Sequence, residues 1–228
     1  MSIRIQAEPN TARSILGVLL AIEIAFALVY IAETALGSPS HLLHELMNLD
    51  GEDTVPTWFS TVQLSVIGLI FLHFAMNVPA LREYRRCFLL FFVGFVFLSV
   101  DENISIHERI TYRLHDIDWL PRFQGNHGVW IAVYLVIAAI FILVNLKPML
   151  DLLKQYPRNV RMFAAGSAVF VTGAVFMEII GYMIVGDGTP GLTYHLEVTL
   201  EEFLEMAGAS IMMYSIIASG NAEHPPPS

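Results

Sequence analysis

The stretch FLLFFVGFVFLSVDENISIHERI, residues 88–110, decides the fold and contains the strongest sign of a functional site. Its first part is an uninterrupted apolar run, typical of a helix that crosses a membrane. Its second part carries Asp101, Glu102, His107, Glu108 and Arg109. Ionisable groups at membrane depth are tolerated when they face the interior of a bundle or a water-filled cavity. The stretch therefore predicts a helical membrane protein with a polar site in its interior.

The composition of the whole chain also indicates a membrane protein. Of the 228 residues, 55% are hydrophobic and only 14% are charged, and the mean hydropathy is +0.60. Soluble domains usually carry about 25% charged residues. The net charge of −9 argues against nucleic acid as a partner, because nucleic-acid-binding proteins concentrate Lys and Arg. The single cysteine, Cys87, excludes an internal disulfide and a cysteine-based metal cluster.

Apolar segments long enough to span a bilayer, which takes about 20 residues, occur along the entire chain. Six are predicted, at 13–36, 57–81, 87–112, 128–153, 161–186 and 192–219. Short connections rich in Gly and Pro separate them. The first segment is too long for a signal peptide and carries Glu23 in its middle, so we expect it to be retained. The fold class is therefore predicted to be all-α, a polytopic bundle of six transmembrane helices in a single domain over residues 1–228.

The basic residues predict the orientation, because cytoplasmic loops of membrane proteins are enriched in Lys and Arg. If the N-terminus is cytoplasmic, the cytoplasmic side contains Arg4, Arg13, Arg82, Arg85, Arg86, Lys147, Lys154, Arg158 and Arg161. The outer side then contains only Arg109, Arg113 and Arg122. Both termini are therefore predicted to be cytoplasmic, and most of the acidic residues fall on the outer side.

Two of the predicted helices carry stripes of carboxylates at helical spacing. On the third predicted helix, one stripe contains Asp101, Ser105, Glu108 and Tyr112, a neighbouring stripe contains Glu102 and Arg109, and His107 projects to another side. On the sixth, the stripe contains Tyr194, Glu197, Glu201 and Glu205, flanked by His195 and Glu202. Glu33 and Glu178 add carboxylates from the first and fifth helices. A rise of 1.5 Å per residue places six of these acids about 21 to 31 Å from the inner boundary: Glu33, Asp101, Glu108, Glu178, Glu201 and Glu205.

The cations available at this depth are too few to neutralise the acids. They are Arg109, Arg113, His107, His127 and His195. Arg109 is expected to reach Glu102, but it leaves the rest of the group uncompensated. Since charges at membrane depth cost several kcal/mol each unless paired or hydrated, the remaining acids must be protonated, hydrated or bound to a cation.

A bound divalent metal is the sharpest hypothesis for this excess of negative charge. Carboxylates and histidines on antiparallel helices form a ligand set that suits a dinuclear iron or manganese centre, or zinc. The predicted metal ligands are Asp101, Glu102, His107, Glu108, Glu178, Glu201 and Glu205, with Glu202 and His195 in reserve. The Glu-x-x-His pairs of di-iron bundles are absent, because His107 follows Glu102 by five residues. A proton or cation pathway and structural polar packing are the alternatives.

Other polar groups have simpler interpretations. The segment HLLHELM, residues 41–47, predicts a short amphipathic helix at the membrane interface. The segment LDGEDTVPTWFS predicts a turn and then a helix start, with Asp53 or Thr54 as the cap and Pro56 in the first turn. Glu52 in that turn is either a lid over the acidic site or a solvated acid. Glu23 and His73 are expected to make buried hydrogen bonds.

Three patches of the sequence, NLDGEDTVPTWFS, LSVDENISIHER and EEFLEMAGAS, resemble a group of bacterial integral membrane proteins with no assigned activity. The resemblance implies a multi-pass protein of the bacterial cytoplasmic membrane, with its acidic site toward the periplasm. It singles out Glu52, Asp101, Glu102, His107, Glu108, Glu201, Glu202 and Glu205.

The predicted position of the acidic site, in the outer half of the membrane, indicates what kind of substrate an enzyme of this type would use. An enzyme with its site in the outer half of the membrane is expected to act on a lipid or a lipid-like substrate. A redox metal would make it an oxidase or hydroxylase, and zinc would make it a hydrolase with a carboxylate as base. The alternatives are a proton- or cation-conducting protein and an accessory subunit of a larger complex or homo-oligomer. An accessory subunit would carry its carboxylates on outward-facing stripes.

Overall fold

A computed structural model describes residues 9–114, 116–117, 119–121, 128–185 and 191–218. Within these ranges every regular element is a helix. Arg4, Arg122 and His127 lie outside the described residues. The α-helices are α1 Pro9–Ala35, α2 His41–Met47, α3 Val55–Asn77, α4 Arg85–Ile104, α5 Ile106–Leu114, α6 Val129–Gln155, α7 Pro157–Val171, α8 Glu178–Val185 and α9 Leu192–Ile217. A 3₁₀ helix, Pro79–Tyr84, precedes α4, and a π-helical segment, Thr172–Met177, joins α7 to α8.

The described residues contain five helical segments that are long and apolar enough to cross a membrane. They are Asn10–Ala35, Val55–Asn77, Pro79–Ile104, Val129–Gln155 and Pro157–Ile184. The sixth predicted span corresponds to α9, which has 26 residues and is therefore long enough. It is less apolar because Glu197, Glu201, Glu202 and Glu205 interrupt its hydrophobic sequence.

The third predicted span, 87–112, is not one continuous helix. The α4 helix ends at Ile104, Ser105 adopts a left-handed conformation with φ 51°, and α5 starts at Ile106. The backbone N–H of Ser105 donates to the carbonyl of Asp101 at 2.8 Å, which closes the last turn of α4. Left-handed φ is uncommon for a residue other than glycine, and residues held in such conformations cluster at functional sites. The predicted stripe from Asp101 to Tyr112 is therefore broken at Ser105.

Two local predictions for the segment before α3 are confirmed. The α2 helix begins after Ser40, whose side chain accepts the backbone N–H of Leu43. The α3 helix is capped by Thr54, whose hydroxyl accepts the N–H of Thr57, and Pro56 occupies its first turn. These caps satisfy N–H groups that have no partner inside a helix.

An aromatic cluster fills one end of the bundle. Phe71 of α3 stacks on Phe88, Phe91 and Phe95 of α4, with ring centroids 4.8 to 5.8 Å apart. Phe163 of α7 meets the Phe71 ring edge-on at 5.6 Å. We call this end the aromatic half. Its rings hold α3, α4 and α7 together by close packing, which is the main attraction between helices in lipid.

Glycines allow α7, the π-helical segment and α8 to lie directly against α9. A Cβ on Gly166 would be 2.8 Å from the backbone nitrogen of Met212, and one on Gly173 would be 2.7 Å from the carbonyl oxygen of Glu201. Gly181 lies against the carboxylate of Glu197 in the same way. The spacing of the three glycines changes from seven to eight residues where the π-helical segment intervenes. Because a π bulge adds one residue to a helix, all three glycines stay on the face toward α9.

Candidate metal centre

The end of the bundle opposite Phe71 and Phe88 borders an open cavity of about 1430 Å³, which extends as far as Phe95. We call this end the carboxylate half and the cavity the acidic cavity. Helices α3 to α9 contribute to its wall. Eight of the predicted ligands line it: Asp101, Glu102, His107, Glu108, Glu178, Glu201, Glu202 and Glu205. Their stripes therefore converge on one interior space.

His195, the ninth predicted ligand, is not among the residues that line the cavity. Its Nδ1 lies 2.9 Å from the hydroxyl of Tyr30 on α1, and the two rings meet edge-on. The structure therefore gives His195 a packing role between α1 and α9.

Three residues at the cavity mouth bring potential ligand atoms close together. One ligand atom each from Glu52, His107 and Glu108 lies within 4.8 Å of the other two. Across the described residues, this is the only such group of three or more His, Cys, Asp or Glu side chains. We call these residues the mouth trio. The sequence predicted His107 and Glu108 as ligands, but Glu52 only as a lid or a solvated acid. The signal that singled out Glu52 was the resemblance, through its NLDGEDTVPTWFS patch.

The break at Ser105 turns His107 back toward Asp101. The backbone N–H of His107 donates to Oδ1 of Asp101 at 2.9 Å, and Nδ1 of its ring lies 3.3 Å from the same oxygen. The expectation that His107 projects away from the Asp101 stripe is therefore wrong, because it assumed a continuous helix. With Nδ1 held by Asp101, Nε2 is the ring nitrogen available to a metal. A carboxylate that fixes the far side of a histidine in this way is typical of metal sites.

The pKa shifts at the mouth reflect an excess of negative charge around Glu52 and His107. Burial and then the neighbouring Glu108 carboxylate raise the pKa of Glu52 above its ordinary value. Burial lowers the pKa of His107, but the hydrogen bond and charge of Asp101 outweigh this effect and raise it overall. A carboxyl whose pKa is raised by a like charge is stabilised when a positive ion lies between the two groups.

A turn fixed at several points places Glu52 at the mouth. The hydroxyl of Thr57 donates to the carbonyl of Gly51 at 2.7 Å, and the N–H of Asp50 donates to Oδ1 of Asn48 at 3.2 Å. From α9, the hydroxyl of Tyr194 donates to Oδ1 of Asp50 at 2.8 Å. The two residues before Glu52 are therefore anchored, Gly51 to α3 and Asp50 to α9.

Further inside the cavity, carboxylates outnumber basic groups. Among the described lining residues, the basic ones are His107, Arg109 and Arg113, all on α5. Arg109 does not form the expected ion pair with Glu102, because its Nε donates to the carbonyl of Ile104 at 2.9 Å. Glu178 accepts a short hydrogen bond from the hydroxyl of Tyr182.

Below the cavity, Glu23 of α1 makes the buried hydrogen bonds expected for it. Its Oε1 accepts from Nε2 of Gln63 at 2.9 Å and from the hydroxyl of Ser210 at 2.6 Å. These bonds link α1, α3 and α9 between the two halves of the bundle. The buried hydrogen bond expected for His73 is not found among the described residues, because its Nδ1 lies 3.4 Å from Nδ2 of Asn77 at an exposed position.

Comparison with known families places the chain in one of them. A family model described as "Domain of unknown function (DUF8692)" matches residues 15–219, so the chain belongs to that family. No curated protein matches the chain, and no solved structure does.

Proposed function

We propose that this chain is an integral protein of the bacterial cytoplasmic membrane that binds a divalent metal ion with Glu52, His107 and Glu108. We further propose that it uses the metal in a reaction on a membrane-associated substrate. The observation that carries the proposal is the meeting of ligand atoms from these three residues within 4.8 Å. No other group of this kind occurs in the described part of the chain.

The donor chemistry fits iron, manganese or zinc. Two carboxylates and one imidazole form an oxygen-and-nitrogen ligand set, and three protein ligands leave coordination positions free for water or substrate. When bound, such a metal supplies either an activated water or a centre for oxygen chemistry. Asp101 holds the His107 ring in place through Nδ1.

The inner carboxylates supply groups that can accept and return protons. Glu102, Glu202 and Glu205 project into the same cavity from α4 and α9. A carboxylate held near a reacting group acts as general base and then as general acid. Glu178 of α8, hydrogen-bonded to Tyr182, is a further carboxyl group that lines the same cavity.

The proposed topology has α9 as a sixth span, with the acidic cavity toward the periplasm. At the opposite end, basic residues cluster around the connections from α3 to α4 and from α6 to α7. They are Arg82, Arg85, Arg86, Lys147, Lys154, Arg158 and Arg161. Such clusters are typical of the cytoplasmic side. The carboxylates of α9 are tolerated in a span because they face the cavity.

The alternative functions have less support. An ion pathway would have to continue through the aromatic half, where Phe71, Phe88, Phe91, Phe95 and Phe163 are in ring contact. An accessory subunit would carry its acids on an outer face, whereas Asp101 and Glu201 both line the interior cavity.

The experiment that tests the proposal is metal analysis by inductively coupled plasma mass spectrometry on detergent-purified protein. We expect a near-stoichiometric transition metal that is lost in His107→Ala and Glu108→Gln. The matched controls are His41→Ala and Glu45→Gln, which remove an exposed histidine and glutamate paired at 3.2 Å on α2. Asp101→Asn should weaken metal affinity by about 10- to 100-fold, as is usual for a residue that orients a ligand. A metal-free wild type, or equal loss in the controls, would overturn the proposal.

A further inference from the structure

The acidic cavity is larger than a metal site requires. Its volume is about 1430 Å³, whereas pockets for drug-sized ligands are about 300 to 1,000 Å³. The mouth trio occupies one end of it, and the space continues past Glu202 and Glu205 to Leu64, Phe95 and Met212. A metal with its bound waters fills only a small part of this volume.

The deep part of the cavity has an apolar wall on the side of α6 and α7. Leu135, Ala138 and Ile142 line it from α6, and Phe170 and Val171 line it from α7. Leu135, Ile142 and Val171 line the cavity and are still 55%, 48% and 43% exposed. Since both helices are among the membrane-length segments, hydrocarbon would surround this side of the cavity.

The part of the cavity that α9 lines carries carboxylates without a matching cation. The basic residues that line the described cavity, His107, Arg109 and Arg113, all lie on α5, whereas α9 contributes only carboxylates as charged groups. Glu197 is only 5% exposed and lines the cavity, and within the described residues neither of its carboxylate oxygens has a hydrogen-bond partner. A buried, unpaired carboxylate is costly, so its presence points to a partner that arrives with the ligand.

We propose that the acidic cavity binds an amine-bearing lipid. Its ammonium group lies against Glu197 and the neighbouring carboxylates of α9, and its hydrocarbon chain lies between α6 and α7. This inference rests on the proposed function, since it names the substrate class of the same cavity.

Charge and shape favour this occupant over other lipids. An ammonium group offers three donors and a positive charge, which match a cluster of acceptor-only carboxylates. A fatty acid or a phosphate without an amine would bring further negative charge beside Glu197 and Glu201. A long-chain alcohol fits the apolar wall but leaves the carboxylates uncompensated.

The experiment measures binding of radiolabelled n-dodecylamine to the purified full-length protein in detergent. Unlabelled n-dodecylamine, n-dodecanol, lauric acid and n-butylamine serve as competitors. We expect unlabelled dodecylamine to compete at least about tenfold better than each of the other three compounds, which corresponds to a difference of about 1.4 kcal/mol in binding free energy. Equal competition by dodecanol would overturn the role of the carboxylates. Equal competition by butylamine would overturn the role of the α6–α7 wall.

Two variants with matched controls assign the binding to the proposed residues. Glu197→Gln should lower dodecylamine affinity at least about tenfold, whereas Glu45→Gln on the surface of α2 should not. Ala138→Trp should fill the space beside α7 and remove the advantage of dodecylamine over butylamine. Ala139→Trp, at an exposed position that does not line the cavity, should preserve it. Equal effects in variant and control would overturn the assignment, and thermal unfolding of each variant verifies that it is folded.

Metal content measured on the same samples separates this inference from the proposed function. Protein that retains its metal but does not distinguish amine from alcohol overturns the inference and leaves the proposed function standing. Protein that prefers dodecylamine but contains no metal overturns the metal proposal and supports the amine site.

Discussion

At one end of the bundle, the rings of Phe71, Phe88, Phe91 and Phe95 stack in direct contact, while at the other end carboxylates surround a cavity of about 1430 Å³. The same helices, α3 and α4, contribute to both ends. The aromatic half gains energy from every contact, because close packing is the main attraction between helices in lipid. In the carboxylate half, by contrast, like charges lie close together and repel one another.

This difference indicates that stability and function are divided between the two halves of the bundle. Residues kept at a cost to stability tend to be functional, whereas the packing that tolerates them lies elsewhere. Glu23 of α1 lies at the boundary between the two halves, where it accepts hydrogen bonds from Gln63 of α3 and Ser210 of α9. If the division holds, variants in the aromatic half will change stability and leave the metal in place. Variants in the carboxylate half will change the metal content without loss of stability.

The largest loss of stability is expected for Phe71→Ala. Removing a ring that contacts several others should cost about 3 to 5 kcal/mol of unfolding free energy. Chemical unfolding in detergent measures the loss. Phe176→Ala, at a ring that is 60% exposed, is the matched control and should change stability by less than about 0.5 kcal/mol. Metal bound per folded molecule should stay constant, and a parallel loss of metal would contradict the division.

The second largest effect is expected for Gly208→Ala, which tests the close approach of α7 and α9. Its new Cβ would be 2.4 Å from the backbone nitrogen of Phe170, so the helices must separate. Overpacking of this kind costs about 1 to 3 kcal/mol. Gly94→Ala, where nothing lies within 4 Å, should instead gain up to about 1 kcal/mol from higher helix propensity. If both variants changed stability in the same direction, the close backbone contact between α7 and α9 would not explain why position 208 is a glycine.

A smaller loss is expected at the boundary for Glu23→Leu. The substitution removes the acceptor of the Ser210 hydroxyl, which would be left buried and unpaired, and one of the two acceptors of the Gln63 amide. The expected cost is about 2 kcal/mol, within the range for unsatisfied buried groups. Glu23→Gln retains an acceptor oxygen of the same size and should cost less than half as much. The two variants are compared by thermal unfolding, and equal losses would indicate that the charge rather than the hydrogen bonds stabilises the boundary.

The smallest effect, and one of opposite sign, is expected for Glu201→Gln. Glu178, Glu205 and Glu202 lie close enough to repel its carboxylate. Replacing this carboxyl by a neutral amide should stabilise the metal-free protein by about 1 kcal/mol, within the range found for single stabilising substitutions. Chemical unfolding in the presence of a chelator measures the gain. The exposed Glu45→Gln should be neutral, and a loss of stability in Glu201→Gln would mean that its carboxylate is already compensated.

Much of the fold follows from the sequence because helix length and apolar composition are local properties. Apolar runs separated by Gly and Pro locate four of the five membrane-length segments to within about four residues at each end, whereas the third, Pro79–Ile104, begins and ends about eight residues earlier than predicted. Thr54 and Pro56 likewise mark the start of α3. The stripe of Glu197, Glu201 and Glu205 follows from helical periodicity alone, and these residues do line the cavity.

What the sequence did not determine depends on contacts between distant segments. The left-handed Ser105, 4% exposed, interrupts an apparently continuous helix. Periodicity cannot anticipate this break, which brings His107 to Asp101. Glu52 lies more than 50 residues before His107 in the chain. It meets His107 and Glu108 only because the turn after α2 is anchored to α3 and α9. The carboxylates could therefore be predicted from the sequence, but which of them meet was decided by tertiary packing.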